Sequence, residues 1–220
     1  MASINSITFD LSDCSLREQS EGHRGWMNSL QVAQKLQFQP GPPEWPFDLT
    51  NPIGATDFYR RQCMQNGGAA LSIEVTTVTG AEALLGLFKY RAPIPGSLAM
   101  YYVGILWIPF QECRFQINVE AMEVGTTGTR EAAVMLILGD AWPKPRPNTL
   151  QVVTSSKDLI EQLARTPVRR LPSDDEQYDK SFPDHPLSRV RARLGRVMAT
   201  LRLDSGALSL TPFHIPVTDL

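Results

Sequence analysis

Both alternate sets of side chains between Met100 and Ile108 are apolar. Met100, Tyr102, Leu106 and Ile108 make one set; Tyr101, Val103, Ile105 and Trp107 make the other. A strand with no polar face is buried on both sides, so this one belongs inside a sheet. A helix is the rival reading of so long an apolar run. The β-branched and aromatic content, with Pro109 as a stop, favours the strand. The next segment alternates. Cys113, Phe115, Ile117, Val119 and Ala121 take one side, and Arg114, Gln116, Asn118, Glu120 and Met122 the other. That pattern predicts a strand with one wetter face, joined to the first by a short turn over Pro109–Glu112.

Gly125-Thr-Thr-Gly-Thr-Arg-Glu-Ala132 follows, and a helix is predicted from about Thr129. Its continuation, Ala132 to Leu138, is apolar on all sides and predicts a buried helix. The orphan N–H groups of such a start need acceptors. Thr127 or Thr129 can cap them, and Glu131 suits the positive end of the helix dipole. An anion can fill the same role, although the segment lacks the spacing and the lysine of a P-loop.

The remaining elements are read in chain order. Residues 4–11 predict a first edge strand, and 26–38 either a strand pair or a short helix. Residues 40–46 hold four prolines, which exclude a helix interior or central strand. Trp45 and Phe47 in that loop are expected to plug the edge of the core, with a polyproline ligand as the alternative. Thr56 is expected to cap a helix to about Asn66, and Ala70–Val78 alternates as a strand. Thr79-Gly-Ala-Glu82 has the form of a capping box and predicts a helix to about Arg91. After a proline-rich connector at 142–147, Ser155 or Ser156 is expected to cap a helix to about Arg165. Residues 166–183 read as a mobile loop with an acidic patch at 174–176. The last long helix has Asp184 as its predicted cap and Pro186 in its first turn. Leu187, Val190, Leu194, Val197, Met198 and Leu201 form its apolar stripe. The tail predicts a short edge strand at Ala207–Leu210.

The chain has 220 residues, 42% hydrophobic and 20% charged, and a net charge of −2. This predicts one globular domain spanning 1–220, with mobile loops near 40–52 and 166–183. The charge gives no general attraction to nucleic acid or membranes. Cys14, Cys63 and Cys113 are odd in number and widely spaced, so reduced thiols and a cytoplasmic location are expected. No signal peptide or spanning run is read in the sequence.

Catalytic motifs are absent: GxSxG, HExxH, GxGxxG and the P-loop do not occur. His23, His185 and His214 stand in separate regions without metal-ligand spacing. No catalytic residue, metal or cofactor is expected. Glu120 and Glu123 come nearest to a carboxylate pair, but three residues apart on a strand they point to opposite faces. Glu120, Thr127, Arg130 and Glu131 remain candidates for lining a ligand pocket at the sheet end. Arg189, Arg193 and Arg196, off the apolar stripe of the last helix, are candidates for a partner or anion surface. The rival reading is a solvated basic face partly neutralised by the acidic loop.

The run from Tyr102 through Pro109-Phe110 to Gly125–Ala132, together with Phe182-Pro-Asp-His-Pro-Leu-Ser-Arg-Val-Arg191, resembles bacterial proteins carrying a T-G-x-R-E-A segment whose role is uncharacterised. Together these stretches cover about a fifth of the chain. The element order also resembles the Mog1/PsbP-like fold, an antiparallel sheet flanked by helices. That resemblance implies a non-enzymatic binding or assembly module docking on a larger partner, and it carries over no functional residue. The resulting expectation is an α+β domain acting as a protein-binding accessory or assembly factor. The alternative is a small-ligand binder or enzyme with a pocket near Glu120 and Arg130.

Overall fold

The computed structural model describes residues 2–144, 155 and 166–215. Among these residues nine strands and four α-helices follow in chain order: β1 Ile7–Thr8, β2 Cys14–Gln19, β3 His23–Asn28, β4 Ala33–Pro40, α1 Pro52–Gln65, β5 Ala69–Val78, β6 Ala81–Arg91, β7 Met100–Pro109, β8 Cys113–Met122, α2 Thr129–Leu138, α3 Pro186–Thr200, β9 Arg202–Leu203 and α4 Ser205–Leu208. Seven strands form one antiparallel sheet in the order β2-β3-β4-β8-β7-β6-β5. The chain is α+β, a mainly antiparallel sheet flanked by helices. The short strands β1 and β9 pair separately and tie the start of the chain to the end of α3.

β7 lies inside the sheet, between β8 and β6, and its two apolar faces are both covered. On one face, Tyr102, Leu106 and Ile108 join Phe115, Ile117 and Val119 of β8 beneath the α3 stripe of Leu187, Val190, Leu194 and Val197. On the other, Val103 and Trp107 join Leu84 and Phe88 beneath Tyr59 and Cys63 of α1. Trp45 and Phe47 complete that second core as the sequence predicts. The Trp45 ring stacks on Phe47 and meets Tyr59, Trp107 and Phe213 edge-on.

Several expectations change. Residues 81–91 form a strand, not a helix. Thr79 and Gly80 both have positive φ, 48° and 88°, and so make a two-residue hairpin turn that couples β5 to β6. The polar pattern around them imitates a capping box. The 26–38 ambiguity resolves as a strand pair, and in 207–210 Ala207 and Leu208 end the short helix α4 and the next two residues turn, so no strand forms there. Helix α1 begins at Pro52 with Asn51 as its cap, and Thr56 lies within it. His185, not Asp184, caps α3. Helix α2 buries only Arg130 and Val134 of its ten residues, so its apolar sequence is not a burial signal. Residues 166–183, expected to form a mobile loop, contain two 3-10 turns and bury Ser173 and Asp174. The helix predicted to end near Arg165 lies outside the described residues.

Helix α3 sits so close to β7 that Gly104 has no room for a methyl group. A Cβ there would fall 2.2 Å from Leu194 Cδ1, 2.9 Å from its Cγ and 3.1 Å from Val190 Cγ1. Gly104→Ala is therefore expected to lower stability by about 1–3 kcal/mol through overpacking. Urea denaturation checks this; an unchanged midpoint would mean that α3 rides further from the sheet.

Candidate functional site

Lys89, Tyr102 and Ala121 lie side by side across β6, β7 and β8, on the face that α3 covers. Alternation along β6 forces the Lys89 side chain inward, where it is 1% exposed. A buried ammonium is tolerable only with charged partners. Its Nζ donates to Asp174 Oδ1 at 3.0 Å and to Glu131 Oε1 at 3.1 Å, and it lies 5.7 Å from the centre of the Tyr102 ring. The first turn of α2 thereby supplies Glu131, and the 3-10 turn at Pro172–Asp174 supplies Asp174.

Arg130, the neighbour of Glu131, is the second buried cation. Its guanidinium donates to Ser173 O (2.6 Å), Ser188 Oγ (2.8 Å) and Asp175 O (2.9 Å), and pairs with Asp179 Oδ1 at 2.9 Å. Arg191 of α3 shares Asp179 and donates to Asp174 O. A guanidinium suits this position because its planar fork can satisfy several acceptors at once.

Glu123 follows β8 directly. Its Oε2 accepts from Met100 N at 2.8 Å, its Oε1 accepts from Gly128 N at 3.2 Å, and His185 Nε2 lies 3.5 Å from Oε1. Burial pushes this carboxyl up, but His185 and the two backbone N–H groups pull it further down, so it sits below its ordinary value. His185 Nδ1 accepts from Leu187 N at 3.2 Å, and its ring meets Tyr102 edge-on with centroids 5.3 Å apart. Burial, then Glu131, Asp174 and Glu123, push the Tyr102 phenol well above its ordinary value. A groove of about 560 Å³ opens against this cluster, with Glu123, Thr126, Thr129, Phe182, His185 and Arg189 among its walls.

The sequence candidates divide. Arg130 and Glu131 belong to the buried network behind the groove. Glu120 does not: it faces the opposite side of the sheet, bonded by Tyr101 Oη and Asn118 Nδ2. The sheet itself therefore lies between Glu120 and Arg130, and the two share no pocket. Thr127 is half-buried and does not cap α2; Gly128 occupies that cap position in a left-handed conformation without a side-chain bond. The three arginines are engaged within the chain. Arg189 pairs with Asp184 and donates to Leu30 O. Arg193 is 5% exposed and bonds to Gln34, Asp13 and Asp10 O. Arg196 bonds to Asp10 and Ser12. Sequence reading missed the meeting of Glu123 with His185, residues 62 positions apart whose approach depends on how α3 docks. The one local signal was a histidine directly before a helix-starting proline.

No family model matches the chain, and no curated protein matches it in sequence. Solved structures give partial likenesses. A mutant of the protein Mog1 is 11% identical with a TM-score of 0.45, covering 93% of this chain and 94% of that one. Human STARD10 is 9% identical with a TM-score of 0.27, covering 87% of each chain. A structure from Bacteroides thetaiotaomicron, 11% identical with a TM-score of 0.35, covers 59% of this chain and 43% of its own.

Two outcomes are expected from the charges. Lys89→Met leaves Asp174 and Glu131 without their shared cation, and chemical denaturation should register a loss of about 3–5 kcal/mol. Half-buried Asp10 and Arg196 form a clasp between the start of the chain and α3, where a hydrogen bond from Ser12 N and then Arg196 lower the Asp10 pKa from 3.8 to about 2. A lowered folded pKa means the clasp contributes fully above the unfolded value and is lost as pH falls toward 2. Asp10→Asn should therefore flatten the stability profile between about pH 4 and 2, as measured by urea midpoints. An identical acid profile in the variant would remove Asp10 from the clasp.

Proposed function

We propose that this protein is a non-enzymatic binding protein whose partner is another protein, docking over the outer side of α2 beside the groove. One observation carries the reading. Met135, Leu136 and Ile137 are 44%, 81% and 68% exposed, three consecutive large apolar residues on a helix anchored through Arg130 and Glu131 at its other end. Val124, 71% exposed, adds an apolar wall to the groove. Exposed apolar clusters rimmed by polar groups mark interaction surfaces. No helix among the described residues is long and apolar enough to cross a membrane. Three free cysteines support a reducing, cytoplasmic setting as part of the same proposal.

A second reading is a small-ligand binder. The groove supports it, because Glu123 and His185 give its floor polar groups capable of orienting a ligand. The two readings part at the apolar face of α2, which a ligand held inside the groove has no need of.

Leu136→Asp combined with Ile137→Asp tests the docking face. Burying each side chain is worth about 1.5 kcal/mol or more, so partner affinity should fall at least about tenfold in a pull-down from native extract. Circular dichroism and melting should stay unchanged, because both positions face solvent. A partner retained equally by both forms, or no protein partner and a small molecule co-purifying with both, would overturn the reading.

A further inference from the structure

We propose that Glu123, Glu131 and His185 together bind a divalent transition-metal ion, with zinc the natural probe. The three residues come from the end of β8, the first turn of α2 and the cap of α3. One ligand atom from each lies within 4.8 Å of the others. Two carboxylates and an imidazole form a donor set suited to zinc, and to manganese or iron. This is no surface acidic patch: the side chains of Glu123, Glu131 and His185 are 5%, 18% and 6% exposed.

Unpartnered atoms point to the same place. Glu131 Oε2, His185 Nε2 and Tyr102 Oη are buried without hydrogen-bond partners. Buried polar atoms in native proteins are almost always satisfied, so three such atoms around one cluster mark a place that a bound cation can serve. Glu131 and His185 each have one polar atom tied and one free. Lys89 holds Glu131 Oε1 and leaves Oε2; Leu187 N bonds His185 Nδ1 and leaves Nε2. For Glu123, Met100 N holds Oε2, while Oε1 accepts from Gly128 N at 3.2 Å and still faces His185 Nε2 at 3.5 Å with a lone pair to spare. That separation is long for a hydrogen bond. It is close to the roughly 3.3 Å expected between two ligands each about 2.0 Å from a tetrahedral zinc.

Two features oppose metal binding and are outweighed. Lys89 places a positive charge against Glu131, but across the cluster three cations, Lys89, Arg130 and Arg191, stand against four carboxylates, Glu123, Glu131, Asp174 and Asp179. The balance leaves negative charge for a further cation, and ligating carboxylates are themselves commonly hydrogen-bonded. The bond from Leu187 N places the proton of the neutral ring on Nε2. Metal loading moves that proton to Nδ1 and gives up one 3.2 Å capping bond, a weak contact against a metal bond. The groove runs along Glu123 and His185, which provides an entry path and room for a water in the remaining coordination position.

The experiment uses the full chain stripped with chelator and titrated with zinc chloride by calorimetry. One equivalent should bind with a Kd of about 10 µM or tighter, and melting should shift upward. Glu131→Gln, nearly the same shape, should weaken binding at least about tenfold, and His185→Ala similarly. Should either variant fail to fold, the ¹⁵N resonances of His185 in the wild-type chain decide: zinc must move Nε2 from a protonated to a metal-bound shift. No uptake below about 100 µM by the folded wild-type chain would overturn the proposal. So would equal affinity in folded variants, or His185 nitrogen shifts that zinc leaves unmoved.

Discussion

A strand that is apolar on both sides has to be covered twice, and β7 sets this requirement for the whole molecule. Tyr102, Leu106 and Ile108 need one layer; Val103 and Trp107 need another. The first layer is α3, which arrives from the far end of the chain. The second is α1 with the proline-rich loop that precedes it. Because α3 must lie directly on β7, a glycine stands at position 104, where any side chain would collide with Leu194. The contact is close-packed, and close packing makes the docking angle of α3 specific rather than approximate.

The docking of α3 has an electrostatic consequence. It brings Ser188, Arg191 and the preceding 3-10 turns down beside β6, where Lys89 points inward, and beside the first turn of α2, where Arg130 does. Apolar packing alone would accept neighbouring arrangements. Buried cations do not, because each requires its own acceptors at hydrogen-bond distance. Lys89 with Asp174 and Glu131, and Arg130 with Asp179 and Ser188, therefore fix which residues stand beside Glu123 and His185. The groove is the solvent-facing side of that same arrangement. Helix α2, anchored by its first turn, is left with Met135, Leu136 and Ile137 facing outward. Anchor, groove and apolar face are thus one construction rather than three separate features.

Much of the scaffold was legible in the residues. The two-sided apolar pattern placed β7, strict alternation placed β8, and helical spacing from Leu187 to Leu201 placed α3 and its buried stripe. Local reading failed where two structures share a signature. Thr79-Gly-Ala-Glu82 satisfies a capping box and equally a primed turn; the pairing of β6 with both β5 and β7 selects the turn. The apolar run in α2 suggests burial, but only Arg130 and Val134 of its ten residues are buried. The arginines of α3 look like an open basic face. In the fold they are taken up by Asp10, Asp13, Gln34, Asp179 and Asp184.

The sequence by itself determined the class of the fold and its middle, because strand alternation and helical periodicity are properties of neighbours in the chain. The tertiary structure alone decided which charges meet. Glu123 and His185 are separated by 62 positions, Lys89 and Asp174 by 85. Each pairing depends on where an element lands after the sheet has formed, and local pattern holds no information about that. The candidate site is therefore a product of docking geometry: its residues are ordinary in sequence and become a cluster only when α2 and α3 settle against one end of β8.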